Sequence, residues 1–153
     1  MQRNFTILLV LVSALLLANI QAQSIARRQD DPVPSKVENL YVRGLKYLAA
    51  SQQPEGTWSD SSGDYPGVVG IATLAFLAHG EDPNYGPYAT QIKRCIDYLI
   101  KAQKSENGYI GTSMYNHGFA TLALAEAYGV VDDDRLEKAL QKAVDLILSA
   151  QQR

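Results

Sequence analysis

One sixteen-residue pattern returns along this chain and decides what the chain can fold into. The first copy spans residues 43–58, the second spans 94–110, and the third starts at Lys142 and stops after its glutamine. Each copy has a glutamine at the same place in the pattern, and successive glutamines are separated by 51 and then 48 positions. These residues are Gln52, Gln103 and Gln151. A repeat of this length predicts stacked units that share a core with their neighbours. Because the third copy is incomplete, we expect the chain to be the N-terminal part of a larger protein.

The N-terminal segment predicts export rather than structure. A basic start and the apolar run 7–18 precede small residues ending at Ala22. This pattern is typical of a signal peptide over 1–22, and an uncleaved anchor is the alternative. Residues 23–34, with two Pro and several charges, are typical of a linker. The repeat domain is therefore predicted over 35–153.

Hydrophobic periodicity predicts an all-α domain. Three amphipathic segments alternate with two segments that are apolar on nearly every side. The first amphipathic segment begins at Ser35, the second has Pro87 in its first turn, and the third opens with the Asp run at 132–134. The apolar segments are 68–78 and 116–128. This alternation indicates helical hairpins, with one helix of each pair facing water and the other lining an inner layer.

The first copy of the pattern resembles the QW motif of the squalene–hopene cyclase and oxidosqualene cyclase family. The matching residues are Arg43, Gly44, Tyr47, Leu48, Gln52, Gly56 and Trp58. The second copy retains Tyr98, Leu99, Gln103 and Gly108, with Ile110 in place of Trp. The third retains Lys142, Ala143, Leu146, Ile147 and Gln151.

The resemblance implies a prenyltransferase and squalene-cyclase type of α/α toroid, in which inner helices line a cavity and outer helices wrap them. Since this chain holds two hairpins and one extra outer helix, it would form an arc, an incomplete ring. The resemblance also implies structural roles for the motif. Gln52 would bond to free backbone groups at a neighbouring helix end, and Trp58 would stack on its amide.

The catalytic groups of this family are not found in the repeats. The Asp run 132–134 lacks the Asp-x-Asp-Asp spacing of the cyclase acid, and we interpret it as capping a helix start. Cys95 and Asp97 reverse the order of the prenyltransferase zinc pair. Cys95 lies on an apolar stripe, so we predict a buried, inert thiol, no metal and no cofactor.

A possible cavity rim lies at the start of the second apolar segment. It comprises Tyr115, Asn116 and His117, with Tyr65 as the counterpart one repeat earlier. A polar and aromatic rim around an apolar interior would suit a hydrophobic ligand. The alternative, which we favour, is that Asn116 caps its own helix and His117 bonds to a neighbouring backbone group.

The functional prediction is an exported terpene-cyclase-like or prenyltransferase-like repeat protein that is not catalytic by itself. The alternative is a secreted scaffold that binds a protein or an isoprenoid-like ligand, with self-association through exposed inner helices. A weaker alternative is a carbohydrate-active toroid, whose loop carboxylates would be Glu55, Asp60, Asp64 and Glu106. A net charge of −2 gives no electrostatic basis for nucleic-acid binding.

Overall fold

Five α-helices account for the regular structure of the part of the chain that the computed structural model describes, residues 33–58, 65–80 and 82–151. They are α1 (Ser35–Ser51), α2 (Pro66–Leu77), α3 (Ala89–Lys101), α4 (Met114–Ala127) and α5 (Leu136–Ala150). Within these ranges there is no strand, only an isolated bridge between Gln103 and Ile110. The all-α prediction is confirmed. The predicted signal peptide 1–22, and the linker 23–34 up to residue 32, lie outside the described residues.

The two apolar helices start two residues earlier than the sequence pattern predicts, and a local residue explains each start. Helix α2 begins at Pro66, whose fixed φ and missing N–H suit the first helical position. Helix α4 begins at Met114, because Ser113 is its N-cap and accepts a hydrogen bond from the amide of Asn116 at 3.2 Å. The apolar period shows where helices lie, but these neighbouring residues determine where each one starts.

Helices α2 and α4 pack side by side and run in the same direction. Gly67 lies against Asn116, and Gly70, three residues further on, lies against Phe119. A Cβ on Gly70 would stand 2.6 Å from the Phe119 carbonyl oxygen, so this glycine permits the close approach of the two backbones.

The core of the residues from Asn39 onward lies between these two helices and the amphipathic ones. It is built mainly from one face of each helix, and its largest fully buried apolar side chains are Leu45, Phe76, Ile92, Ile96, Leu99, Ile110, Leu124 and Leu136. Helix α3 packs mainly on α2, and α5 packs on α4. The two apolar segments of the sequence therefore correspond to α2 and α4, which pack against each other and against the amphipathic helices. We call α2 and α4 the inner helices.

The turns after α1 and α3 dock on the next amphipathic helix through glycine. Gly56 and Gly108 both have positive φ, at +91° and +76°. A Cβ on Gly56 would overlap the Arg94 carbonyl, and one on Gly108 would overlap the Lys142 carbonyl. Arg94 and Lys142 are 48 positions apart, so the two turns dock at equivalent places in successive units.

We expect Gly56→Ala and Gly108→Ala each to lower the free energy of unfolding by more than about 1 kcal/mol, because both the positive φ and the missing space oppose a side chain. Gly44→Ala is the matched control. Its Cβ would have nothing within 4 Å, and Ala in the interior of α1 should stabilise by about 0.5–1 kcal/mol. Urea unfolding measures all three; equal effects at the three sites would contradict the docking account.

Candidate functional site

The repeated glutamines join each unit to the next. Gln52 Nε2 donates to the Gln91 carbonyl at 3.1 Å and to Cys95 Sγ at 3.2 Å. Gln103 Nε2 donates to the Ala139 carbonyl at 2.8 Å, 48 positions further along than Gln91. Both acceptors lie near the start of a helix, where the unpaired groups are N–H donors rather than carbonyls. The glutamines therefore bind carbonyls of the helix ladder and not free end groups.

Trp58 instead bonds at the end of its own helix. Its indole N–H donates at 2.9 Å to the Leu48 carbonyl in the last turn of α1, which also accepts from the Gln52 amide at 3.1 Å. In the second copy Ile110 takes this place and is fully buried. The remaining motif side chains differ in burial: Arg43, Tyr47 and Gln151 are exposed, and Tyr98 is half-buried.

His117 is part of the core and does not lie on a cavity rim. The side chain is fully buried, and Nδ1 accepts a hydrogen bond from the Ile110 amide at 3.1 Å. Its Nε2 lies 3.1 Å from the Ala143 carbonyl, and the ring stacks on Tyr109. This arrangement requires a neutral ring protonated on Nε2, and burial lowers the pKa of His117. The rim interpretation of His117 is therefore wrong, since both nitrogens are engaged with backbone groups.

Asn116 caps a helix, but not its own. The side chain is buried, and its Oδ1 accepts a hydrogen bond from the Gly67 amide at 3.2 Å, in the first turn of α2. Tyr65, the N-cap of α2, provides no side-chain cap, so Asn116 supplies it from the adjacent inner helix. Both earlier interpretations of Asn116, as a rim residue and as a cap of α4, are corrected by this contact. The preference of Ser for N-cap positions could have pointed to Ser113 instead.

The two predicted rim tyrosines lie at the N-terminal ends of the inner helices. Tyr65 immediately precedes α2, and Tyr115 lies in the first turn of α4, where it packs edge-on against Phe119. Both tyrosines are exposed, so aromatic groups border this end of the inner helices.

Apolar side chains remain exposed along the inner helices. Val68 and Ile71 on α2 and Leu122 on α4 are all exposed despite being apolar. Near the C-terminal ends of the same helices lies a groove of about 430 Å³, and Glu126 is the one carboxylate among its described lining residues. Its other lining residues are Leu74, Leu77, Ala78, Gly80, Pro83 and Val130. Sequence reasoning missed this groove, because Val130 and Pro83 come from connections rather than helices.

The acidic groups nearest the family's catalytic pattern are paired with a cation. Arg135 contacts Asp97 at 2.9 Å and Asp133 at 2.7 Å, and Lys101 contacts Asp97 at 2.6 Å. The bonds from Lys101 and Arg135 lower the pKa of Asp97, and those from Arg135 lower the pKa of Asp133. Asp133 Oδ1 also accepts the Arg135 amide, in the turn just before α5. A carboxyl that protonates an alkene needs the opposite shift, so Asp97 and Asp133 are poor candidates for that role.

The cysteine is as inert as its apolar setting suggests. Cys95 is fully buried, and burial raises the pKa of its thiol to about 11, so it is not a ready nucleophile or metal ligand. Within residues 33–58, 65–80 and 82–151, no group of three or more His, Cys, Asp or Glu side chains could hold a metal ion. Of the loop carboxylates considered for carbohydrate chemistry, Asp60 and Asp64 lie outside the described residues.

No family model, curated protein or solved structure matches this chain. The resemblance to the squalene-cyclase repeats therefore still depends on the motif residues alone and stays a prediction. Among the described helices, none combines the length and apolar character needed to cross a bilayer.

We expect the stability of the protein to fall as pH drops below about 6.5, the ordinary pKa of His. Because the folded pKa of His117 is lowered, the unfolded chain binds the proton first. The stabilisation is then fully present above pH 6.5 and is lost as pH falls towards the folded pKa. Melting temperatures between pH 8 and pH 5 measure the effect.

His117→Gln is the control for this pH dependence, because an amide can accept from the Ile110 amide and donate to the Ala143 carbonyl without titrating. The variant retains His79, so the difference from the parent isolates His117. A His117→Gln protein with an unchanged pH profile would refute the assignment.

Asn116→Ala should lower the free energy of unfolding by about 0.5–2 kcal/mol, the usual effect of losing a helix cap. Asn116→Asp should retain most of the stability, because a carboxylate oxygen can still accept from the Gly67 amide and suits a helix N-terminus. Chemical unfolding compares the two variants. An Asn116→Asp variant destabilised as much as Asn116→Ala would contradict the cap.

Proposed function

We propose that this chain is an exported arc of an α/α toroid of the prenyltransferase and squalene-cyclase repeat type. In this proposal the groove near the C-terminal ends of α2 and α4 holds an apolar, isoprenoid-like ligand, and the chain does not perform chemistry by itself. Export depends on the predicted signal peptide over 1–22. The groove beside Ala78 and Val130 is the observation that carries the ligand assignment.

Equivalent contacts at a fixed spacing support the arc. The acceptors of Gln52 and Gln103 are 48 positions apart, and so are the carbonyls against which Gly56 and Gly108 pack. The inner helices are parallel, as they must be when successive hairpins have the same orientation. A unit placed on its neighbour by the same rotation each time produces a curved array.

The chemistry of the inner helices favours an apolar ligand. Among the residues that the structure describes, the groove is lined chiefly by aliphatic side chains, with Glu126 as the charged one. Exposed aliphatic side chains on α2 and α4 and the tyrosines at their N-terminal ends extend the apolar character along the helices. A mainly apolar concave site with few polar groups is typical of hydrophobic ligand sites. The single carboxylate would favour a ligand with a hydroxyl or amine at one end.

Binding is better supported than catalysis, because the candidate acidic and basic side chains are engaged in ion pairs or backbone hydrogen bonds. Lys101 and Arg135 lower the pKa of Asp97, Arg135 lowers the pKa of Asp133, and His117 has both ring nitrogens bonded to the backbone. These groups therefore serve the framework, and none of them is available as a proton donor to an alkene.

Farnesol, an isoprenoid alcohol, is a suitable probe for this proposal. We expect farnesol to raise the melting temperature of the full chain, because a ligand that binds only the folded state stabilises it. Ala78→Trp should abolish the shift by filling the groove. Ala50→Trp, at an exposed position on α1, is the matched control and should leave the shift intact.

The ligand assignment is refuted if farnesol gives no shift, or if Ala78→Trp and Ala50→Trp behave alike. Incubation of the full chain with squalene, followed by gas chromatography, tests the absence of catalysis separately. A cyclised product would overturn that part of the proposal.

A further inference from the structure

We infer that the chain associates head to tail with a second copy of itself. In this contact α2 of the second copy packs on α4 of the first, in the same way that α4 packs on the preceding inner helix, α2, within one chain. The inference rests on the repeat-arc part of the proposed function. It is carried by two faces, one on each inner helix, that are uncovered by the described residues and that correspond to the two sides of the internal contact around Gly70.

The first face is a glycine surface on α4. Within the chain, α2 receives α4 at Gly67 and Gly70, where a Cβ would be only 2.7 Å from Asn116 Oδ1 and 2.6 Å from the Phe119 carbonyl. The residue 48 positions after Gly70 is Gly118, on α4. Gly118 is exposed, and a Cβ there would have nothing within 4 Å. Helix α4 thus offers one of the two close-approach positions that α2 uses, since the counterpart of Gly67 is the exposed Tyr115. None of the described helices occupies the position at Gly118.

The second face is the matching ridge on α2. Helix α4 meets α2 through Asn116 and Phe119. Their counterparts 48 positions earlier are Val68 and Ile71, which are exposed at 45% and 43%. Within the described part of the chain, these two β-branched side chains of an inner helix stay largely uncovered. They would be covered if α2 lay against the glycine surface of another copy's α4.

The amphipathic helices show the same pair of incomplete faces. In α3, which has a neighbour on both sides, Leu99 is fully buried, whereas its counterpart Ile147 in α5 is 38% exposed. In α1, Tyr47 is 72% exposed, whereas its counterpart Tyr98 in α3 is half-buried. The first and last helices of the array are thus the ones that lack cover.

The glutamine contact extends in the same register. Gln52 and Gln103 each donate to a carbonyl near the start of the next amphipathic helix. Gln151 has the corresponding place after α5. The counterpart of the Gln91 acceptor on α1 is the Leu40 carbonyl, 51 positions earlier. A second copy whose α1 follows α5 would therefore offer Gln151 an acceptor.

A second copy is the occupant that fits, because one chain carries both halves of the contact. The two faces are different surfaces, so the interface is heterologous, and repeated addition gives a closed ring or an open filament. A two-fold dimer would instead require one face to match itself. The glycine surface leaves space for a side chain, and the aliphatic ridge supplies side chains. Each surface therefore fits the other better than it fits a second copy of itself.

Sedimentation velocity on the purified full chain without added ligand tests the inference. We expect the sedimentation coefficient to rise with concentration. Gly118→Arg blocks the α4 face and Ile71→Arg blocks the α2 face, and each variant alone should associate at least about tenfold more weakly. Thr90→Arg, at an exposed position on α3, which already has a neighbour on both sides, should associate like the parent.

The decisive sample is an equal mixture of Gly118→Arg and Ile71→Arg. Each variant retains the face that the other lacks, so the mixture should form a one-to-one dimer that grows no further. Circular dichroism confirms that both variants are folded, as the open space at Gly118 and the exposure of Ile71 lead us to expect.

Three results would overturn the inference: a parent chain that stays monomeric, a mixture that does not dimerise, or a single variant that still forms a homodimer. The last would show a two-fold contact. Because no farnesol is present, failure here leaves the ligand proposal untouched, and a failed farnesol shift leaves this test valid.

Discussion

The docking of each glycine turn on the next amphipathic helix is the contact on which the rest of the structure depends. Gly56 and Gly108 have positive φ and lie against backbone carbonyls where no side chain fits. Because the two carbonyls are 48 positions apart, successive units meet in one register. The same register places the glutamine bonds and brings the parallel inner helices α2 and α4 into contact through Gly70. The hydrophobic core stabilises the array, but this backbone contact sets its geometry.

Polar residues on the inner helices serve the framework, and the apolar ones remain available for binding. His117 links the turn before α4 to α5, and Asn116 caps the start of α2. Apart from Glu126, the exposed residues of these helices are apolar side chains, Tyr115 and Gly118. The groove beside Ala78 and the faces around Ile71 and Gly118 are separate parts of this surface. A ligand and a second copy could therefore bind at the same time.

Much of the fold could be predicted from the sequence, and the reasons for the failures are physical. The apolar period located all five helices, and the repeat spacing located the docking turns. The complete burial of His117 was harder to predict, although its counterpart 48 positions earlier is Val69, a buried core residue. That register could have indicated a buried histidine. The groove depends on how connections fold back over helix ends, and periodicity carries no information on that.

The most direct test of the stacked register is a set of nuclear Overhauser contacts in the folded chain. The account predicts contacts from the Gly56 α-protons to Arg94 and from the Gly108 α-protons to Lys142, with equal closeness in both units. Contacts from Gly70 to Phe119 should accompany them. Intact helices with the Gly56 contact present and the Gly108 contact missing would contradict a repeat built on one register.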